Sequence, residues 1–176
     1  MDGKVALFFC SASFSIDPKY NQAAREIVRA ACLHGYGISS GGTVKGTMKV
    51  VTETARACGA KAKGVLPRFM TNGADPDLDE VVWTDTMSER KEKMREGSSI
   101  AVALPGGIGT LDELFETITL AKLGKYDGRI IVVNWDGYYD FLHSLLDYLV
   151  QEEMLDAQSR SLVHFVSSVE EFEKLI

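Results

Sequence analysis

The chain has 176 residues, a hydrophobic fraction of 45% and a formal net charge of -6 at neutral pH. Size and composition predict a single compact domain over residues 1–176, and the acidic balance excludes a protein that binds nucleic acid through a broad basic face. The first ten residues lack the basic start of a signal peptide, and no apolar run approaches the length of a membrane span. We therefore expect a cytoplasmic protein with no membrane partner.

Apolar runs alternate with amphipathic segments along the chain, which predicts an α/β protein with a Rossmann-like, doubly wound, mostly parallel sheet between two layers of helices. The predicted strands are Lys4–Cys10, Tyr36–Ser39, Ala62–Leu66, Glu80–Thr84, Ser99–Leu104, Arg129–Val133 and Val163–Val166. The predicted helices are Pro18–His34, Thr47–Cys58, Met87–Gly97, Thr110–Leu123, Tyr138–Glu152 and Ser168–Ile176. One long stretch, Pro67–Asp79, is rich in Gly, Pro and Asp and is expected to be an irregular loop.

The cysteines and histidines do not have the spacing of a metal site. Cys10, Cys32 and Cys58 form an odd set without a C-x-x-C pair, which predicts reduced thiols that pack as small core residues. The three histidines are scattered along the chain. We therefore expect no metal.

Small, hydroxyl-bearing and glycine residues follow three of the predicted strands. They form the loops 10–13, 40–43 and 105–110. Because ligands of parallel sheets bind at the carboxyl ends of the strands, we expect one site there, with Ser11, Gly41 and Gly42 among its substrate contacts. The alternatives are a tight turn at the two glycines and a plain loop hydroxyl at Ser11.

The stretch Ile100–Leu114 has the pattern of a buried strand, a tight glycine loop and a helix N-terminus at Thr110. Glycines let the backbone approach a ligand closely, and the free N–H groups of a first helical turn bind phosphate. Neither G-x-G-x-x-G nor G-x-x-x-x-G-K-[ST] matches the chain. The predicted phosphate contacts are Gly106, Gly107, Gly109 and Thr110.

Glu113, just after this loop, has two interpretations. It is a candidate catalytic carboxylate beside a phosphate site. It also completes the pattern T-x-x-E with Thr110, which is typical of a capping box in which the glutamate closes on the N-cap backbone.

Arg90 shares a helix face with Met87 and Met94, at spacings of three and four residues. The guanidinium therefore either points into a site or passes the methionines to reach solvent. The adjacent Lys91 is by default a solvated residue.

The motif P-G-G-x-G-T-x-x-E at Pro105–Glu113, preceded by Arg90-Lys91, resembles the LOG family of cytokinin riboside 5′-monophosphate phosphoribohydrolases, formerly called lysine decarboxylases. The resemblance extends over most of the chain. It implies a Rossmann-type homodimer, without a cofactor, that hydrolyses the N-glycosidic bond of adenosine-type nucleoside 5′-monophosphates to a free base and ribose 5-phosphate. It also implies that Arg90 and Glu113 are catalytic, that the glycine loop binds phosphate, and that Lys91 contacts substrate.

On this resemblance, Glu113 stabilises the positive charge that develops on the sugar, as a base or as a nucleophile. Arg90 pairs with phosphate or sugar oxygens and keeps Glu113 ionised. The second loop departs from the family pattern Y-G-G-G-x-x-G-L-M-G, because Thr43 replaces a glycine and Thr47-Met48-Lys49 replaces the end.

Two other functions are considered. The intact Arg90 and Glu113 favour the enzyme, whereas the altered second loop leaves open a non-catalytic carrier of a phosphorylated ligand, like the molybdenum-cofactor carriers of the same superfamily. A single-stranded-DNA-binding relative of the bacterial DNA-processing proteins ranks last, because the expected basic groove is not evident in the sequence.

A homodimer is also expected from the sequence, because the helix Thr110–Leu123 is apolar on more than one side and the sheet can cover only one. Its apolar residues are Leu111, Leu114, Phe115, Ile118, Leu120, Ala121 and Leu123.

Overall fold

The computed structural model describes residues 3–176, so the first two residues of the predicted domain lie outside the described residues. Seven parallel strands form one sheet in the order β4-β3-β2-β1-β5-β6-β7. The strands are β1 Val5–Phe9, β2 Gly37–Ser40, β3 Ala62–Pro67, β4 Glu80–Thr84, β5 Ile100–Ala103, β6 Arg129–Val133 and β7 Val163–Val166. The structure confirms all seven predicted strands, each end within one residue.

The helices are α1 Pro18–Leu33, α2 Gly46–Ala57, α3 Met87–Arg95, α4 Ile108–Lys122, α5 Asp140–Gln151, α6 Ala157–Arg160 and α7 Val169–Glu173. The six predicted helices are confirmed, and the short α6 was not predicted. The prediction of an irregular loop at Pro67–Asp79 is wrong in part. This stretch contains a 3₁₀ segment, Arg68–Gly73, and Ala74 forms an isolated antiparallel bridge with Thr43.

Helices cover both faces of the sheet, as its apolar strands require. The alternating side chains of β1 show this directly, since Phe8 packs in the core under α1, α2 and α7, whereas Phe9 packs in the core under α3, α4 and α5. Both phenylalanines are almost completely buried. The result is the predicted three-layer Rossmann-like arrangement.

The strand order places a crevice at the carboxyl ends of β1 and β5. β1 pairs with β2 on one side and with β5 on the other, so the chain winds away in opposite directions from this point. In doubly wound sheets, ligands bind where the order reverses in this way. The loops after β1, β2 and β5 therefore meet at one edge.

The three cysteines differ in burial. Cys10 is buried at the end of β1, Cys32 is partly buried and Cys58 is exposed, and all three thiols are free. The prediction that they pack in the core is wrong for Cys58, because it caps the solvent-facing end of α2. Within residues 3–176, no helix is long and apolar enough to cross a membrane, and no three His, Cys, Asp or Glu side chains are grouped as metal ligands.

Candidate active site

A cavity of about 350 Å³ lies at the switch point of the sheet. Seven of the ten predicted site residues line it, namely Ser11, Gly41, Arg90, Gly107, Gly109, Thr110 and Glu113. Gly42, Lys91 and Gly106 are not among its lining residues. A larger groove of about 780 Å³, between α3 and Asp127, contains none of the ten.

Arg90 and Glu113 form a buried ion pair at the base of the cavity. Arg90 Nη1 donates to Glu113 Oε1 at 2.6 Å, and only 7% and 6% of the two side chains are exposed. Arg90 Nε also donates to the carbonyl oxygen of Val65 on β3 at 3.0 Å, which orients the guanidinium. The interpretation of Arg90 as a residue that reaches past the methionines to solvent is therefore wrong.

The capping interpretation of Glu113 is also wrong. Helix α4 begins at Ile108 with Gly107 as its N-cap, two residues before the predicted start. Thr110 therefore lies inside the first turn, and no side chain caps the helix. Glu113 is consequently too far along the helix to close on the N-cap, and its carboxylate pairs with Arg90.

Burial raises the pKa of Glu113, against the opposing effect of the Arg90 charge and hydrogen bond. The sequence predicted that Arg90 would hold this acid ionised; the guanidinium does favour the ionised form, but desolvation outweighs it. Burial, followed by the charge of Glu113, also raises the pKa of the Cys10 thiol in the same cavity. Cys10 therefore stays protonated, and Glu113 is the stronger candidate for a base.

Thr110 has a hydroxyl without a partner in the cavity wall. Its Oγ1 is buried and makes no hydrogen bond to any described residue. An unsatisfied buried polar group costs about 1–3 kcal/mol, so this hydroxyl is a local cost to folding beside the cavity. The absence of a side chain at Gly106 makes room for it, since a Cβ there would overlap Thr110 Oγ1.

The second glycine loop shapes the site in two ways. A Cβ on Gly41 would lie 2.5 Å from Arg90 Nη2, so this glycine leaves space for the guanidinium. Gly42 has a φ of +72° and packs against the backbone of Gly64, which agrees with a tight turn. Ser11 Oγ accepts a hydrogen bond from the Ser13 N–H at 3.0 Å, so it also organises its own loop.

Lys91 lies beside the cavity rather than in it. Its Nζ lies 3.0 Å from both Asp112 Oδ2 and Glu116 Oε2, and 14% of its side chain is exposed. Partial burial by itself would lower the pKa of the Lys91 ammonium. The hydrogen bonds to Glu116 and Asp112 raise this pKa by more than burial lowers it, so the pKa lies above its usual value. Lys91 therefore links α3 to α4 and is not a freely solvated residue.

Sequence reasoning missed two groups of residues at the site. The apolar wall of the cavity includes Leu66, Met70 and Met48, and Thr43 Oγ1 lies 3.4 Å from the sulfur of Met48. The second group is the pair Tyr138 and Tyr139, which contacts the glycine loop from outside the cavity. Two adjacent tyrosines a few residues after the buried strand β6 were the available signal, because a buried tyrosine hydroxyl needs a partner.

The fold and the site define a Rossmann-like α/β protein with an arginine–glutamate pair beside a glycine loop at its switch point. The chain belongs to the LOG family, whose sequence profile, described as "Possible lysine decarboxylase", matches residues 48–176. The chain is 38% identical over 151 residues to a cytokinin riboside 5′-monophosphate phosphoribohydrolase of Mycobacterium tuberculosis, covering 85% of this chain and 80% of that protein.

Two further comparisons concern the sequence and the fold in turn. The Arabidopsis thaliana cytokinin riboside 5′-monophosphate phosphoribohydrolase LOG4 is 31% identical over 174 residues, covering 98% of this chain and 80% of that protein. The molybdenum cofactor binding protein of Rippkaea orientalis has a similar fold, with a TM-score of 0.73, 21% identity and coverage of 99% and 96% of the two chains. At this identity, the second likeness concerns the fold alone.

Proposed function

We propose that this protein hydrolyses the N-glycosidic bond of adenosine-type nucleoside 5′-monophosphates, AMP or its N6-substituted cytokinin relatives. The products are the free base and ribose 5-phosphate. The observation that carries the proposal is the buried Arg90–Glu113 pair, which lines one cavity with the N-terminus of α4. The activity named for the curated relatives supports the same reaction.

The 5′-phosphate binds at the start of α4 in this proposal. Gly107, Gly109 and Thr110 line the cavity there, and the first turn of a helix offers free N–H groups and partial positive charge. The apolar wall around Leu66 and Met48 suits the face of a purine base. The cavity volume of about 350 Å³ is within the range of small-molecule sites.

Catalysis requires stabilisation of an oxocarbenium-like sugar. Glu113 supplies the negative charge, as a base that activates water or as a nucleophile. Arg90 Nη2 makes no hydrogen bond to the described residues, so it is available to a phosphate or sugar oxygen while Nη1 keeps Glu113 in place. Binding energy from the phosphate then positions the anomeric carbon, which predicts poor hydrolysis of nucleosides.

The second candidate is a carrier of a phosphorylated ligand. It is favoured by the altered second loop, in which Thr43 contacts Met48, and by the fold shared with a molybdenum cofactor binding protein. Incubation with AMP followed by chromatography separates the two functions. We expect free adenine and ribose 5-phosphate in equal amounts; binding without turnover would favour the carrier.

We also propose that the protein is a cytoplasmic homodimer. The three free thiols agree with a reducing compartment. On α4, Leu114 and Ile118 are buried in the core, but the helix exposes apolar side chains at its two ends, Ile108 and the C-cap Leu123. Ile108 is 85% exposed beside the glycine loop, and Phe141 on α5 is 91% exposed. A two-fold contact would cover such side chains on both subunits at once.

Light scattering at micromolar concentration tests the oligomeric state. We expect the mass of a dimer and a loss of activity on dissociation. A fully active monomer would contradict the proposal.

A further inference from the structure

Two adjacent tyrosines hold the backbone of the loop between β5 and α4. Tyr138 Oη donates to the carbonyl oxygen of Gly106 at 2.8 Å, and Tyr139 Oη donates to that of Leu104 at 2.8 Å. Because β5 ends at Ala103, both carbonyls lie beyond the strand and need other partners. The two hydroxyls supply them.

The tyrosines are themselves held in place. The ring of Tyr138 makes edge-to-face contacts with Tyr20 and Tyr139, at centroid distances of 5.0 Å and 4.8 Å. The backbone N–H of Tyr139 donates to Asn134 Oδ1 at 2.6 Å. Burial raises the pKa of both phenols, so both hydroxyls remain protonated donors. The loop is therefore held by a rigid group of aromatic residues.

The orientation of one carbonyl determines the orientation of the next amide. In a trans peptide, the C=O of one residue and the N–H of the next point in opposite directions, and the described residues contain no cis peptide. With the carbonyl of Gly106 directed at Tyr138, the N–H of Gly107 points away from that ring. Gly107 lines the cavity and begins α4 without a side-chain cap, so this amide is available to a ligand.

The second tyrosine acts on different peptides of the same loop. Tyr139 holds the carbonyl of Leu104, and the next residue is Pro105, which has no N–H. The Tyr139 hydroxyl also interacts with the backbone N–H of Gly106, so it holds the peptide before Gly106 but not the amide of Gly107. Tyr138 and Tyr139 therefore hold different carbonyls of the loop, and single substitutions can separate their effects.

We propose that Tyr138 is a positioning residue for the phosphate of the ligand. By holding the carbonyl of Gly106, it directs the amide of Gly107 towards the phosphate oxygens at the start of α4. The proposal rests on the proposed function for the identity of the ligand, and it assigns a role to a residue that does not line the cavity.

The test is the variant Tyr138→Phe, which keeps the ring and removes the hydroxyl. We expect ribose 5-phosphate to bind about fivefold more weakly by calorimetry, the cost of losing one hydrogen bond. The change in the ¹⁵N chemical shift of the Gly107 amide on binding should shrink. The KM for AMP should rise by the same factor, with kcat within about twofold.

Tyr126→Phe is the matched control, because it also removes a hydroxyl contact, to Ser98 Oγ at 3.2 Å, at the opposite edge of the sheet. It should leave binding unchanged. Tyr139→Phe should lower the thermal midpoint, because the carbonyl of Leu104 loses its donor, while ribose 5-phosphate binding stays within about twofold of the wild type.

Two results would overturn the positioning role: wild-type affinity in Tyr138→Phe, or equal losses of affinity in Tyr138→Phe and Tyr139→Phe. A wild-type protein that does not bind ribose 5-phosphate would also overturn it. Binding of ribose 5-phosphate does not require hydrolysis. A protein inert towards AMP that still shows the Tyr138-dependent affinity would therefore contradict the proposed function alone.

Discussion

Two glutamates on α4, one turn apart, pair with cations on α3 in opposite surroundings. Glu113 meets Arg90 at 2.6 Å with both side chains less than a tenth exposed. Glu116 lies 3.0 Å from Lys91 and 3.1 Å from Arg95, and a third of its side chain is exposed. The contacts are chemically alike, but Glu113 lines the cavity at the switch point of the sheet, whereas Glu116 lines the larger groove beside Asp127. Burial raises the pKa of Glu113. Burial therefore separates the proposed catalytic carboxylate from one that links two helices.

The largest expected effect comes from Glu113→Gln, which keeps the size of the side chain and its hydrogen-bond acceptor but removes the charge. We expect AMP to bind with little change and kcat to fall on the order of a hundredfold or more. The control is Glu116→Gln, the same change three residues later. Comparable values of kcat in the two variants would remove the distinction between the two glutamates.

Arg90→Ala should cost about 3 kcal/mol of stability, because it leaves a buried carboxylate without its partner. Binding of AMP should weaken far more than binding of adenosine, since only AMP offers a phosphate. Thermal unfolding and calorimetry measure the two effects. The double variant Arg90→Ala/Glu113→Gln should recover part of the stability; equal losses for both ligands would make Arg90 a packing residue.

The pH dependence sharpens the comparison further. Because Glu113 must be ionised to act, kcat/KM should fall as the pH is lowered through its raised pKa, with a midpoint above the 4.5 of an ordinary glutamate. The same shift favours the protonated form in the fold, so Glu113 contributes stability that is fully present below pH 4.5 and is lost as the pH rises through the raised value. A midpoint at or below 4.5 would contradict this assignment.

The smallest effect belongs to Glu116→Gln itself. Partly exposed ion pairs contribute little, so the free energy of unfolding should change by about 1 kcal/mol or less. The difference should diminish further in 0.5 M salt, which screens exposed charges. Denaturant titrations at two salt concentrations test this, and a loss as large as that of Arg90→Ala would show that exposure does not distinguish the two pairs.

Much of the fold could be predicted because buried strands and helices require apolar residues at regular positions in the sequence. The strand Ile100–Ala103 is apolar throughout since both faces of the sheet are covered. The short helix Ala157–Arg160 escaped prediction because a single turn has no period, although the Asp156 side chain caps it. Local pattern was thus sufficient for the strands and the longer helices but not for a helix of a single turn.

The site was harder to predict, because its geometry depends on residues distant in the chain. The sequence predicted that α4 starts at Thr110, because threonine is a common N-cap residue. In the structure the N-cap is Gly107, which has an extended backbone and no side chain to form a capping hydrogen bond. Likewise, the spacing of Met87, Arg90 and Met94 predicted that these residues share one face of a helix, but it did not predict which residue pairs with Arg90. Only the packing of α3 beside α4 shows that this partner is Glu113.

The space left by Gly41 ties its identity to that of Arg90. A Cβ at position 41 would lie 2.5 Å from Arg90 Nη2. We therefore expect the residues at positions 41 and 90 to vary together. In a library that randomises both, functional clones with arginine at position 90 should carry glycine at position 41. Other residues at position 41 become compatible with folding only where position 90 has a shorter side chain and Met48 also shifts, because Met48 Cε and Sδ would lie 2.8 Å and 2.9 Å from the added Cβ. The evolutionary freedom of this loop is thus limited by a helix more than forty residues later in the chain.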